Sequence, residues 1–519
     1  MYLSQNRNFG YLALVGIIFT MQSNKVSAQV RSLKSFFEVQ AIASSTKDIP
    51  FWMRSNQYGS VPITGLSSAL TANFMKEYES SAQQYSSNQP KLFDWGFGFE
   101  SRVNVGQQST ATIIEAYGKA KFNIFQLKVG RTKDVMGLNG DTILSSGNFA
   151  QSGNALGIPK IELSIPSYWR LPFFKGLFSL KGSFSHGWVG SARILDSIES
   201  LPPSKEVFYI NNNMPKTFFH QKSLYIRLGK ANWNLNLIGG FNHQVFWGNE
   251  RSAYGSNFKL SPLETFFYVA TGKAYGSLGV PKSKIGNQIG SIDVGAEYKF
   301  NSLKLLIYRQ NFYDVGALSK LANIRDGLNG AAIENIKMHP SNGSLQWKKM
   351  LIELFYSKDQ AGYPWSIPTK SGDEDYYNSF YYKEGWSYKG SGLGNPLISK
   401  RDDVRDGQAE REIEYFSNNR VIAVHLGFEG EIYNWSFKTK LTQSWNYGTF
   451  GTSKYGSSTG SIRSEQNNNI FKSVAQSSYY LEALKNIGNK YQLGFVTAFD
   501  NGHLLRNSFG LATKLKRSF

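Results

Sequence analysis

The sequence predicts an all-β protein: a transmembrane antiparallel up-and-down β-barrel of about 18 strands with long extracellular loops. Three observations predict it. Apolar and polar residues alternate in segment after segment; aromatic residues make up 15% of the chain against 18% charged, with 50 glycines; and no apolar run reaches the roughly 20 residues that a membrane helix needs. Such a composition suits many strands and turns, whereas helices with charged faces would raise the charged share.

The elements follow in order. Arg7 precedes an apolar stretch, Tyr11 to Met21, and Val26-Ser27-Ala28 places small residues where a signal peptidase cuts. Residues 1–28 are therefore expected to be a signal peptide and 29–519 the outer-membrane barrel of a Gram-negative cell. No Pro/Ser-rich linker divides the remainder. Cysteine is absent, which excludes disulfides, thiolate metal sites and an amino-terminal lipid anchor. Removing Arg7 and Lys25 lowers the formal charge from +20 to +18, so anionic partners are expected at the destination, and export argues against nucleic acid.

In "DWGFGFESRVNV", Trp95, Phe97, Phe99, Val103 and Val105 alternate with Gly96, Gly98, Glu100, Arg102 and Asn104. The same period of two returns at Ile292 to Phe300 and Tyr491 to Phe499, and the chain ends on it, with Phe509, Leu511, Thr513, Leu515 and Phe519 on one side. A soluble sandwich would turn the apolar side onto a second sheet. A membrane barrel turns it onto lipid, with the polar side lining the lumen and closure removing unpaired edges. Strands read from 36–44 to 507–519 number about 18, an even count. Connections alternate between a long set, containing 133–159, 190–221, 243–288, 357–419 and 446–476, and a mostly short set that includes Asn123 and Asn301-Ser302. Long loops outside and short turns in the periplasm are the asymmetry of such barrels. The stretch 79–92 departs from it. Phe519 is expected as the last lipid-facing residue, read by the barrel assembly machinery.

Chemistry is sparse. The six histidines show no metal-ligand spacing, and neither metal nor cofactor is expected. "HPSNG", His339 to Gly343, places His two residues before Ser341, but Pro340 and Asn342-Gly343 read as a turn. "GSGLG", Gly390 to Gly394, lacks the strand, helix and lysine of a phosphate loop and reads as a flexible surface loop. Asp373, Glu374, Asp375, Asp402, Asp403 and Asp406 read as a solvated surface. The loop 357–419 is more telling: Trp365, Trp386 and Tyr388 among other aromatics, interleaved with Arg401 and Arg405, offer flat faces to sugar rings and cations to carboxylates. A second patch, "FWGNERSAY", adds Trp247 and Arg251 and is expected to face the first across the barrel mouth.

Several segments together resemble the capsule assembly Wzi family: "PFWMRSNQYG" (Pro50 to Gly59), "GRTKDVMG" (Gly130 to Gly137), "LSSGNFAQSGNALGIPKIELSIP" (Leu144 to Pro166), "RDGLNG" (Arg325 to Gly330) and "GWSYKGSGLGNPLI" (Gly385 to Ile398). The resemblance implies an 18-stranded barrel acting as a non-catalytic lectin that retains capsular polysaccharide. The helical periplasmic bundle of that family has no clear counterpart near this amino terminus. The leading expectation is thus a surface lectin, with an anionic capsular or exported polysaccharide, outer-membrane lipid and lipopolysaccharide as partners. The alternative is a diffusion porin or anion-selective channel, using lumenal Arg102, Lys119, Lys128 and Lys299 unless Glu100, Glu115 and Glu297 pair with them. A lipid- or glycan-cleaving barrel enzyme, built on Ser341 or the loop carboxylates, ranks third.

Overall fold

A computed structural model describes residues 33–79, 92–194, 197–198, 208–209, 214–230, 232–314, 316–337, 344–362, 374–379, 381–411, 414–455, 458–459, 462–463 and 470–519. The expected signal peptide, the His339 to Gly343 turn, Trp365 and most of the 79–92 connection lie outside them.

Eighteen antiparallel strands form one closed sheet. They are β1 (Leu33–Ser44), β2 (Ser67–Lys76), β3 (Phe93–Gly106), β4 (Thr110–Phe122), β5 (Phe125–Arg131), β6 (Lys160–Arg170), β7 (Phe178–Ser191), β8 (Lys216–Leu228) and β9 (Leu235–Trp247), then β10 (Asn287–Phe300), β11 (Leu303–Tyr313), β12 (Gly327–Asn335), β13 (Gln346–Tyr356), β14 (Val421–Ile432), β15 (Trp435–Asn446), β16 (Val474–Ile487), β17 (Tyr491–Gly502) and β18 (Ser508–Ser518). Each pairs with its neighbours in sequence. Closure comes from β1 against β18, in register from Phe36 opposite Ser518 to Ser44 opposite Gly510. Beyond β18, the Phe519 N–H donates to the Ser35 carbonyl at 3.0 Å and its ring meets Phe37 edge-on at 5.9 Å. The aromatic last residue is held at the seam as the alternation requires.

The alternation fixes which way each side chain points. On β3, Asp94, Glu100, Arg102 and Asn104 are buried in the lumen while Trp95 and Val103 stand 52% and 43% exposed on the outside. Leucine, phenylalanine, isoleucine and tryptophan cover the outer wall in the same way, from Leu127 and Ile161 to Phe495 and Leu511. An apolar belt of this extent is incompatible with water, and with every interior strand edge paired it is the exterior of an outer-membrane barrel. Phe495 lies mid-strand in this belt. Phe495→Arg is expected to cost about 2–4 kcal/mol of folding free energy in lipid vesicles, measured by denaturant titration of the refolded barrel; a neutral outcome contradicts lipid contact there.

Turn chemistry sets the periplasmic side. Two-residue links join β4 to β5, β10 to β11 and β14 to β15, and their first residues Asn123, Asn301 and Tyr433 take left-handed φ values of 54°, 50° and 52°. Among residues with a side chain asparagine tolerates that region best, which is why it occupies two of the three. On the opposite, extracellular side the links at 45–66, 132–159, 248–286 and 357–420 are long, and only 107–109 and 503–507 are short. Among the described residues three short α-helices occur there: α1 (Phe51–Arg54), α2 (Glu250–Tyr254) and α3 (Pro262–Thr271).

Candidate functional site: a lumenal plug and the vestibule beneath it

The long links do not all project outward. Residues from 45–66, 132–159 and 376–400 turn into the barrel and pack a hydrophobic core inside the lumen, containing Trp52, Leu144, Phe149, Tyr376, Tyr377, Trp386 and Leu393. Phe149 stacks on Phe312 of the wall at 4.1 Å and 9°, and Phe312 in turn meets Phe355 at 5.5 Å. Trp386 lies against Phe246 of β9 at 4.5 Å and donates its indole N–H to the Ala150 carbonyl at 2.7 Å.

Irregular chain inside a barrel must find partners for its backbone groups. The inward polar positions supply them. Asp293 on β10 accepts from Leu138 N–H at 2.8 Å, Gln310 on β11 from Phe149 N–H at 2.8 Å, and Asp500 on β17 from Phe51 N–H at 2.7 Å. Glu353 on β13 takes the most, from Ser146 N–H and Ser145 Oγ at 2.7 Å each, Asn139 Nδ2 at 3.2 Å and the Tyr308 hydroxyl. His425 on β14 engages the Leu144 carbonyl at 2.7 Å and Thr442 at 2.7 Å, and Thr442 also receives the Trp52 indole at 2.9 Å. Lys349 pairs with Asp141 and Lys160 with Asp134, at 2.8 and 2.7 Å. The lumenal polar face therefore works as a cradle for the plug.

"GSGLG" belongs to that plug, which corrects its reading as a flexible surface loop. Leu393 is buried, and a Cβ added at Gly394 would sit 2.0 Å from both the Phe149 carbonyl oxygen and the Tyr377 hydroxyl. Only glycine lets those two backbones approach so closely. The acidic run is corrected in part. Glu374 is buried, accepting from Ala317 N–H at 3.0 Å and Asn323 Nδ2 at 2.9 Å, and Asp375 accepts from Asn378 Nδ2 at 3.1 Å. The side chains of Asp402 and Asp406 are solvated as expected, and Asp403 pairs with Arg54 at 2.8 Å.

Above the plug, the loop ends form a cap rich in buried acids. Asp326 accepts from the Tyr376 hydroxyl at 2.7 Å and from the amides of Asp359 and Gln360 at 2.9 and 2.7 Å. Burial nevertheless pushes its carboxyl up to about 7, and burial pushes Glu414 up to about 7 as well, with Asp375 adding to the rise. A carboxyl raised in the folded state favours folding while protonated, so the cap is expected to hold fully at pH below about 4 and to weaken as pH rises through 7. Amide-exchange protection of Asp359 and Gln360, corrected for intrinsic rate, should fall between pH 6 and pH 8.5 and become flat in Asp326→Asn. Protection constant from pH 5 to 9 in the unsubstituted protein contradicts this.

Below the plug lies a vestibule of about 570 Å³ reaching the periplasmic rim, lined by Lys34, Glu38, Glu100, Arg102, Glu115, Lys133 and Lys516 and roofed by Tyr58. Tyr58 takes a left-handed φ of 54° and its N–H donates to the Gly153 carbonyl at 2.8 Å, which fastens one inward segment to another. Lys133 stands 5.5 Å over the Tyr58 ring and pairs with Glu100 at 2.8 Å. Arg102 donates to Gln40 at 2.7 Å and to Asn104 at 2.9 Å. Of the other expected lumenal cations, Lys119 pairs with Glu77 at 2.5 Å, Lys128 with Glu162 at 3.5 Å, and Lys299 with Glu297 at 3.9 Å.

The residues singled out for sugar binding are placed otherwise than expected. Trp386 and Tyr388 are 1% and 5% exposed, inside the plug, and the Tyr388 hydroxyl accepts from Arg131 at 3.2 Å. Trp247 is buried on the outer wall, where Arg251 donates to the Leu260 carbonyl at 3.1 Å. The two patches meet by packing, Phe246 against Trp386 and Tyr382 and the Asn249 carbonyl accepting from the Tyr381 hydroxyl at 2.6 Å, rather than facing each other across an open mouth. Arg401 and Arg405 line an extracellular cavity of about 560 Å³ together with Arg506, Lys47, Asp48, Asp402, Asp406 and Glu410. Arg401 pairs there with Glu410 at 3.1 Å, and Arg405 donates to the Leu505 carbonyl at 3.0 Å.

No family model matches the chain and no curated protein matches it. Solved structures do. OccAB2 of Acinetobacter baumannii is 10% identical, with 95% of this chain and 99% of that one covered at a TM-score of 0.42. OccK10 (OpdN) of Pseudomonas aeruginosa is 10% identical over 94% and 99%, at 0.41, and the outer membrane protein OprD of Pseudomonas aeruginosa is 7% identical over 94% and 93%, at 0.42.

The expectation of a capsule-assembly lectin of the Wzi kind is corrected. Trp386, Tyr388 and Trp247, expected to stack on sugar, are spent on packing inside the plug or against the wall. A loop rich in aromatic residues reads alike in sequence whether its rings meet a ligand or each other. The wall carboxylates Asp293, Glu353 and Asp500 were missed, although each falls on the inward period of its strand.

Proposed function

We propose that the chain is an outer-membrane channel for small polar solutes, closed from the outside by its own plug and performing no chemistry on what it passes. What carries this reading is the vestibule: a chamber of about 570 Å³, continuous with the periplasmic rim and walled by acidic and basic side chains together. A buried charge is tolerated when paired, and a passing ion or zwitterion can exchange one partner for another from site to site, which is the condition for conduction. The plug makes such a channel selective, because a solute must replace hydrogen bonds that the wall gives to the plug.

The experiment is recording of the purified, unsubstituted barrel in planar bilayers, with swelling of proteoliposomes in small amino acids and sugars as a second readout. Discrete openings and measurable swelling are the expected result. A barrel that inserts but stays silent in both assays contradicts a transport role.

A further inference from the structure

The outer wall carries a polar patch on three neighbouring strands. On the lipid-side period of β7, β8 and β9 stand His186, His220, Lys222 and His243, below Trp188, Phe218 and Trp247 and above Phe184, Leu224, Ile226 and Phe241. The link 248–286 folds back down over them. Helix α3 begins on a capping box, Ser261 with Glu264, and ends at Gly272 with φ 68°. From it Phe266 packs 5.7 Å from the His220 ring and 5.8 Å from both His186 and Trp247. Lys222 Nζ donates to the Ala270 carbonyl. His220 is wholly buried beneath the helix. The link thus replaces acyl chains along the upper part of this wall, and its own outer surface stands at the level of the outer leaflet.

That outer surface is of two kinds. Leu263 and Phe267, one turn apart on α3, are 65% and 57% exposed. Beside them Lys259, Lys273 and Lys282 are exposed. Tyr275 accepts from the backbone N–H of Lys259 at 3.1 Å and lies edge-on to Phe258 at 5.1 Å and Tyr268 at 5.9 Å, and Lys273 Nζ stands 5.0 Å over the Tyr268 ring. In the hairpin of Ala274–Ser277 and Val280–Lys284, Tyr275 pairs with Ser283, so Lys282 turns to the opposite, outward face. Over 248–286 the chain has five cations, Arg251, Lys259, Lys273, Lys282 and Lys284, against Glu250 and Glu264, a net charge of +3. Glu250 is buried.

We infer that this outward-folded link is a binding site for a phosphorylated glycolipid of the lipid A type in the outer leaflet, with acyl chains along Leu263 and Phe267 and phosphate among Lys259, Lys273 and Lys282. The pairing of an apolar ridge with cations at the polar boundary fits an anionic lipid: it satisfies chain and headgroup at once, and each lysine near an anionic surface contributes on the order of a fivefold change in affinity. Water alone would leave the ridge unpaired, and a zwitterionic lipid would leave the charge unmatched.

The test uses the full barrel in detergent, titrated with bis-phosphorylated lipid A, with the same lipid dephosphorylated, and with phosphatidylglycerol, and read by native mass spectrometry. The variants are Lys259→Ala/Lys273→Ala/Lys282→Ala and Leu263→Ser/Phe267→Ser, with barrel integrity checked by heat-modifiable mobility. The expected result is preferential binding of phosphorylated lipid A, weakened on the order of a hundredfold by the triple lysine variant and also weakened by the ridge variant and by dephosphorylation. Equal binding of all three lipids overturns the proposal, as does unchanged binding in the triple lysine variant. A dimer of barrels that the ridge variant dissociates assigns the surface to a second copy and overturns it equally.

Discussion

Glu353→Ala is expected to open the lumen. The carboxylate accepts from Ser145, Ser146, Asn139 and Tyr308, and it is 1% exposed, so its loss strands several buried donors at once. Removing one partner of a buried charged network costs about 3–5 kcal/mol, because the groups left behind are neither hydrated nor bonded. The β-barrel does not depend on this residue, since the strand ladder of β13 with β12 and β14 is backbone-borne. The cost therefore falls on the seated plug, and by the usual conversion of about 1.4 kcal/mol per decade the closed state loses on the order of a hundredfold or more in relative population. Single-channel recording should show long or permanent openings, while heat-modifiable mobility of the barrel is retained. A variant with unaltered closure contradicts the assignment of Glu353 as the plug's main anchor.

The second large effect is expected from Gly394→Val. The new Cβ would lie 2.0 Å from the Phe149 carbonyl oxygen and from the Tyr377 hydroxyl, a separation no packed pair of atoms sustains. One of the two plug segments must withdraw, and overpacking of this kind costs about 1–3 kcal/mol or more. The bonds at risk run from Tyr377 to Phe149 and from Asn395 N–H to Tyr377 at 2.7 Å. Limited proteolysis should then cut within 376–400, where the unsubstituted protein resists. By contrast Gly390, whose added Cβ meets nothing within 4 Å but whose φ is 79°, should tolerate asparagine with little change in proteolysis. Equal resistance of Gly394→Val and the unsubstituted protein contradicts the packing described.

Much of the barrel was legible because period two leaves no freedom. Once Phe509, Leu511 and Leu515 face lipid, Gly510, Ala512 and Lys514 must face the lumen, and a slip of one residue would exchange the two sides. The short asparagine turns fixed the pairing partners in the same way. The plug was not legible, because alternation says where a side chain points and not what fills the space it points into. Asp293, Gln310, Glu353, His425 and Asp500 fall on inward positions of their strands, and an inward polar residue suits water, a solute or a folded-in backbone equally well. A signal did exist in Leu144 to Ile158, where small residues separate isolated apolar ones, a pattern fit for close packing and poor for a loop in water. The outward-folded link also left a trace. Lys222 and three histidines on the lipid side of β7, β8 and β9 interrupt a run of apolar wall, and polar side chains on that side require a cover.

The central claim is that solutes pass only when the plug leaves its cradle, and a single disulfide tests it. The chain has no cysteine, and a Cβ added at Gly427 of β14 would lie 2.8 Å from the Leu144 Cβ of the plug, near enough for a bridge after a shift of about 1 Å. In Leu144→Cys/Gly427→Cys, bilayer recordings should show no openings after oxidation and restored openings after addition of reductant to the same membrane. Openings that persist with the bridge formed would place the pathway elsewhere and contradict the account.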